Sequence, residues 1–278
     1  MAELDDFKTE ISDKTDNTQK SYLTQYKKLY KLLGKPIGES SQKKVIEVIM
    51  DNIANINGQQ ALYNVAILIR RMNHLSTSEL ESHRERNKKS IVAHVKEKNA
   101  ELSESLPTYD DLLEFMEYLY NKTDYLGFVI NYLLINYHVR NEDINAIIVD
   151  KKREVDKESD NNYIWLAPQK VVFIRQNYKT SDKYGTKEHT INDKRFMTAI
   201  RKIKEKAVSN GMEPRLVPDD KQTGYYIQKH TLKQLGEGKY VKIIINHYRD
   251  EIDKLKEIGM NRGTSYATLL SNYDIEMK

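Results

Sequence analysis

YLGFVINYLLINY (residues 125–137), followed at once by HVRNEDI (residues 138–144), is the stretch that decides the reading of this chain. The first part is apolar almost without interruption, the pattern of a helix covered by protein on every side. It is shorter than the ~18 residues a membrane span needs, so it predicts a buried core helix. Directly upstream, TYDD (108–111) opens another helix, with Leu112, Phe115, Met116 and Leu119 on one side. Downstream the period changes. Residues 145–149 are a short apolar run, 162–166 and 171–175 are β-type, and SDKYG (181–185) is turn chemistry before a further β-type run at 186–191. The expectation is a small antiparallel sheet of three strands inserted among helices. Helical pattern returns near Asp193 and continues almost to the C-terminus, with breaks at Asn210-Gly211 and at LGEG (235–238), whose glycine pair is too short to cradle a phosphate.

Working outward to the N-terminus, Tyr22, Tyr26, Leu29 and Leu33 fall on one helical face, stopped by Gly34-Lys35-Pro36. A second helix carries Val45, Ile46, Val48, Ile49 and Ile53 and is expected to end near Asn57-Gly58. A third carries Leu62, Val65, Leu68, Ile69 and Met72. A fourth begins near Ser76 or Ser78, with SELE (78–81) as its capping box, and reads as a solvated helix of mixed charge. Residues 1–15 are polar and expected to be irregular. NAELSESLP (99–107) is Ser- and Glu-rich and ends in Pro107, which marks the domain boundary. The division is therefore 1–100, a linker at 101–107, and 108–278, in a fold that is mainly α with a small antiparallel β-sheet insert.

Composition narrows the chemistry. The 278 residues suffice for one large or two small domains. With no cysteine, a disulfide scaffold, a thiolate zinc site and a cysteine nucleophile are all excluded. The start MAELDDFKTE is acidic and shows no signal peptide, so the chain reads as soluble and intracellular, with no membrane partner. A formal charge of +4 permits an anionic partner without requiring one. The seven histidines show no metal-ligand spacing, and GxGxxG, GxxxxGK[ST] and GxSxG are absent. What remains is a set of cations, a histidine and a late tyrosine: Arg140 after the buried helix, Lys179 in NYKTS (177–181), His230 and Lys233 in HTLK (230–233), and Tyr266 and Tyr273 near the C-terminus. Taken singly, each has an ordinary structural explanation. Arg140, for example, closes an apolar helix where a cation suits the macrodipole.

Taken in order, they resemble the tyrosine recombinase (phage-type integrase) family, over about residues 15–275. TDNTQKSY (15–22) looks like the opening of that family's core-binding domain, and YHVRNEDI (137–144) like the motif around its first catalytic arginine. The resemblance implies a two-lobed C-shaped clamp: a helical, SAM-like core-binding domain at 1–100 and an α+β catalytic domain at 108–278, with an extended connection and a basic inner surface. It implies cleavage of double-stranded DNA through a 3′-phosphotyrosine with no cofactor and no metal, and a homo-tetramer on DNA during recombination. Carried over by position, Arg140 is the first arginine, Lys179 the hairpin lysine with Lys183 and Lys187 as competitors, and His230 the histidine of His-x-x-Arg. Lys233 stands where that motif has its second arginine, and an ammonium cannot form the bidentate fork. Arg262 or Arg249 are alternatives for that role. Tyr273 is favoured as nucleophile over Tyr266, which lies at the family's more usual gap from His230. Two further readings stay open: a DNA-binding descendant of the fold without catalysis, acting in packaging, replication or genome architecture, and a topoisomerase IB-like relaxase. The Lys/Asn/Ile/Tyr bias suits an AT-rich genome, and a mobile element or large DNA virus would suit the family.

Overall fold

The structure is a computed structural model that describes residues 2–103, 105–218 and 221–273. The chain divides into two compact units, residues 1–98 and 99–278. The first is helical: α1 (Ala2–Glu10), α2 (Asp16–Leu33), α3 (Gln42–Asn52), α4 (Ile56–Met72) and α5 (Ser78–Ser103). The expected stop after α2 is present, with Gly34 at φ 69° donating its N–H to Tyr30 O. Two expectations are corrected here. Residues 2–10 form a helix, because Phe7 and Ile11 are buried in the core with Tyr26 and Leu29. Glu3 fixes that helix: its carboxylate accepts the Tyr26 hydroxyl at 3.1 Å and the N–H groups of Ile37 and Gly38 at 3.0 and 2.7 Å. The break between α3 and α4 falls at residues 53–55. Asn55 caps Asn57 N and Gly58 N, so the Asn-Gly pair starts a helix where the sequence suggested an end.

At the start of α5, Glu81 accepts the hydroxyl of Thr77, one residue before the Ser78 expected to cap it. The helix continues to Ser103, through residues predicted as linker; Glu104 lies outside the described residues. Among its described side chains Leu80 is buried, as its mixed-charge pattern allows.

The second unit contains α6 (Tyr109–Asn121), α7 (Tyr125–Tyr137), α8 (Asn141–Ile144), β1 (Ala146–Val149), β2 (Asn162–Leu166), β3 (Val171–Arg175), α9 (Ser181–Tyr184), β4 (Lys187–Ile191), α10 (Lys194–Ser209), α11 (Thr223–Gln228), α12 (Glu237–His247), α13 (Ile252–Arg262) and α14 (Tyr266–Tyr273). Residues 274–278, part of the C-terminal stretch read from the sequence, lie outside the described residues. Helix α6 starts on a capping box between Thr108 and Asp111. Helix α7 is the buried helix its composition demands, with Phe128, Ile130 and Leu133 fully covered. Its one interior amide, Asn131, is satisfied: Nδ2 donates to the carbonyls of Gly127 and His230, and Oδ1 accepts the Tyr240 hydroxyl at 2.6 Å.

The sheet has four strands in the order β1-β2-β3-β4, and it is mixed. The run at 146–149 is a strand pairing parallel with β2, while β2–β3 and β3–β4 are antiparallel. A purely antiparallel insert of three strands is thus corrected. The connection 150–161 is long enough to return the chain to the same edge in the same direction, which a short hairpin turn cannot do. The segment expected as a β-turn before β4 is the short helix α9. No helix among the described residues is long and apolar enough to cross a membrane.

Candidate functional site

The site grows from the end of α7. His138 terminates that helix with φ 52°, a left-handed conformation usually left to glycine, and its ring is buried. Burial pushes its pKa down to about 4; the cations Lys254 and Arg262 lower it further while Glu257 opposes them. The chain then turns through Val139 to Arg140, which is extended and precedes α8. Asp143, fully buried, accepts the Arg140 backbone N–H at 2.9 Å and the guanidinium of Arg175 on the same Oδ2. Arg175 closes β3 and stacks 5.0 Å from the Tyr178 ring. A buried guanidinium in contact with a buried carboxylate thus holds the backbone that presents Arg140.

This arrangement holds the backbone of Arg140 rather than its guanidinium. Its Nη1 is buried and has no hydrogen-bond partner among the described residues. Burial lowers its pKa first and the charge of Arg262 second, while Asp143, Glu237 and Tyr273 act in the opposite direction. Those influences identify its surroundings.

Arg262, at the end of α13, is 1% exposed and engaged on most sides. Nη1 donates to the carbonyls of His138 at 3.1 Å and Val139 at 3.3 Å. Nη2 donates to Glu237 Oε1 and, at 3.5 Å, to the Tyr273 hydroxyl. Its guanidinium carbon lies 5.3 Å from the centre of the Tyr273 ring. Gly263, which follows it at φ 61°, lies so close to Thr180 that a Cβ there would meet the threonine hydroxyl at 1.9 Å. That approach brings the loop after β3 against the end of α13.

Lys187, the first residue of β4, completes the group. Its Nζ donates to Met260 O at 2.6 Å and sits 4.7 Å from the Tyr178 ring. Burial lowers its pKa, with Arg175 and then Arg140 adding to the effect and Asp143 opposing it. Arg140, Arg175, Lys187 and Arg262 thus outnumber Asp143 and Glu237 in this group, and the Tyr273 hydroxyl lies on its Arg262 side. Such a cluster can hold an oxyanion on Arg140, present a phenol to it and supply a proton from a lysine with a lowered pKa.

The residues picked out from the sequence divide clearly. Arg140, Arg262 and Tyr273 are brought together. Tyr266 opens α14, is 36% exposed, and makes none of the contacts to Arg262 that hold Tyr273. Lys179 and Lys183 are exposed, and of the three hairpin lysines it is Lys187 whose charge interacts with Arg140. Arg249 lies in the turn between α12 and α13.

His230 and Lys233, given roles beside Arg140 by the resemblance, have other neighbours. His230 packs on Tyr226, and the charges that act on it are Asp124 and Lys229. Asp124 caps the N-terminal end of α7 and the His230 carbonyl accepts from Asn131 in the middle of that helix, whereas Arg140 follows its C-terminal end. Lys233 is exposed, and its charge acts on Asp111 at the start of α6. The sequence reading missed Asp143, Arg175 and Glu237. The available signal was an arginine ending the otherwise apolar strand VVFIR, and a glutamate between two glycines.

No protein-family model matches the chain, and no curated protein sequence matches it. Among solved structures, the crystal structure of XerA recombinase is similar over 98% of this chain and 93% of that one, with 13% identity and a TM-score of 0.37, a likeness that assigns neither family nor activity.

Proposed function

We propose that the second unit is a DNA strand transferase of the tyrosine recombinase kind. In this reading Tyr273 is the nucleophile, Arg140 the phosphate-gripping cation and Lys187 the general acid. The observation that carries it is the Tyr273 hydroxyl on Arg262 Nη2 near Arg140, whose buried Nη1 has no partner among the described residues. A free phenol with a pKa near ~10 is a poor nucleophile, and one held among cations next to the anion they bind is a better one. The tyrosine oxygen forms a bond to phosphorus as its proton passes to solvent. The bond from phosphorus to the 5′-oxygen breaks, and the departing oxygen takes a proton from Lys187. A 3′-phosphotyrosine and a free 5′-hydroxyl result. The substrate class is duplex DNA, held mainly through backbone phosphates.

A nicked suicide duplex tests this by trapping the covalent protein–DNA adduct. The unmodified protein and Tyr266→Phe form the adduct; Tyr273→Phe does not, yet binds the same duplex. Adduct formation by Tyr273→Phe would refute the assignment. The position of His230 and Lys233 outside the cluster favours a second reading, a DNA-binding protein without strand transfer. Salt-sensitive duplex binding with no adduct on any nicked substrate would select it.

A further inference from the structure

The LGEG segment (235–238), which looks like a mere helix break in the sequence, carries a carboxylate into the cationic cluster. Glu237 is the first residue of α12. Its Oε1 accepts from Arg262 Nη2, its Oε2 accepts the backbone N–H of Asn141 at 3.0 Å, and its charge acts on Arg140. A side chain and a backbone N–H on either side of one small anion are also what the non-bridging oxygens of a phosphate would use. The arrangement leaves Arg262 little to offer a second anion. Nη1 is spent on the carbonyls of His138 and Val139, and Nη2 on Glu237 and Tyr273, so that Nε alone is without a partner among the described residues.

Electrostatics makes the two anions exclusive. A guanidinium as buried as Arg262 needs a counter-charge when no ligand is bound. A phosphate arriving beside an ionised Glu237 would meet a like charge at close range in a poorly screened site. The glycines on either side supply the freedom to resolve this. At neither Gly236 nor Gly238 would an added Cβ meet any atom within 4 Å, so packing does not demand glycine at these positions. What glycine gives here is a backbone that can swing.

We propose that Glu237 is a built-in competitor for the phosphate. It neutralises Arg262 at rest, occupies part of the oxyanion position between Arg262 and the Asn141 N–H, and is displaced at the glycine-flanked start of α12 when a phosphodiester enters. The inference rests on the reading that phosphate binds beside Arg140, but its test needs no strand cleavage.

The probe is inorganic phosphate, measured by titration calorimetry. Glu237→Gln keeps the length and one acceptor while removing the charge. It binds phosphate about tenfold or more tighter than the unmodified protein, the size of an ordinary coupling between two ligands. Arg140→Ala in the same background abolishes the gain. Thermal melting gives an independent readout, because phosphate raises the Tm of Glu237→Gln more than that of the parent. If the glutamine variant does not fold, Glu237→Asp, which withdraws the carboxylate by one methylene, shows a smaller gain of the same sign. Equal or weaker phosphate binding by the variant that folds overturns the proposal, and so does a gain that survives Arg140→Ala. The two readings fail separately. Tighter phosphate binding with no adduct on nicked DNA keeps the competitor and removes the strand transferase. An adduct with unmoved phosphate affinity does the reverse.

Discussion

Acid should weaken the second unit in a way that one side chain dominates. His138 is 1% exposed and its pKa is pushed down to about 4 by burial, against about 6.5 in an unfolded chain. Between those values the unfolded chain holds a proton that the folded one refuses. The contribution to stability is therefore complete above about pH 6.5 and is lost as pH falls toward 4. Integrated from about pH 7.5 to about pH 5, the difference is ~2 kcal/mol. His189, also lowered to about 4 by burial and by Arg175 and Lys187, acts in the same direction but is less covered and contributes less. The perturbation that isolates His138 is His138→Asn, because asparagine is the non-glycine residue best suited to a φ of 52° and does not titrate. Urea unfolding followed by the fluorescence of Trp165, which lies on β2, reports on this unit. The unmodified protein should lose ~2 kcal/mol more than the variant between the two pH values. Equal losses in both proteins would show that His138 is not held neutral by its surroundings.

Two further outcomes follow from the same geometry. Gly263→Ala places a Cβ 1.9 Å from Thr180 Oγ1 at a φ of 61°, and should cost about 1–3 kcal/mol in a urea melt; a cost below about 0.5 kcal/mol would mean that the loop after β3 does not pack on α13 as described. Lys187→Met should lose adduct formation on a nicked duplex while keeping salt-dependent binding, and a bridging 5′-phosphorothiolate should restore it, because a thiol with a pKa near ~8.5 departs without a proton. Failure of the phosphorothiolate to rescue would make Lys187 a residue that merely holds Met260 in place.

Much of the fold is legible because long periodic segments dominate it. The apolar stretch at 125–137 and the faces around Tyr26, Val45 and Leu62 lie within observed helices and contribute to the two cores. The errors cluster where a distant contact overrides local pattern. Nothing near Glu3 in sequence indicates that its carboxylate will bond Ile37 and Gly38, yet those bonds fix α1 against the rest of its unit. Strand β1 is four residues long, and its partner in the sheet is chosen by the path of residues 150–161, for which the sequence offers no periodic signal.

The site was less legible, for a reason that is physical as well as statistical. HTLK (230–233) suggests an imidazole and an ammonium one turn apart on a single helical face. The chain is not an α-helix there: α11 ends at Gln228, and Lys233 takes φ 51°, so the two side chains diverge. Regular spacing puts side chains together only while the backbone stays regular. Arg262 shows the opposite case, having no helical partner that would mark it in the sequence. A guanidinium 1% exposed nevertheless demands acceptors, and it finds them on the loop before Arg140, on Glu237 and on Tyr273. It thereby holds the groups around Arg140, whose Nη1 has no partner among the described residues; Nε and Nη1 of Arg175 and Nε of Arg262 are buried without one as well. In the proposed reading, a lysine at 233 therefore does not disable the cluster, because the cation beside the tyrosine is Arg262 of α13.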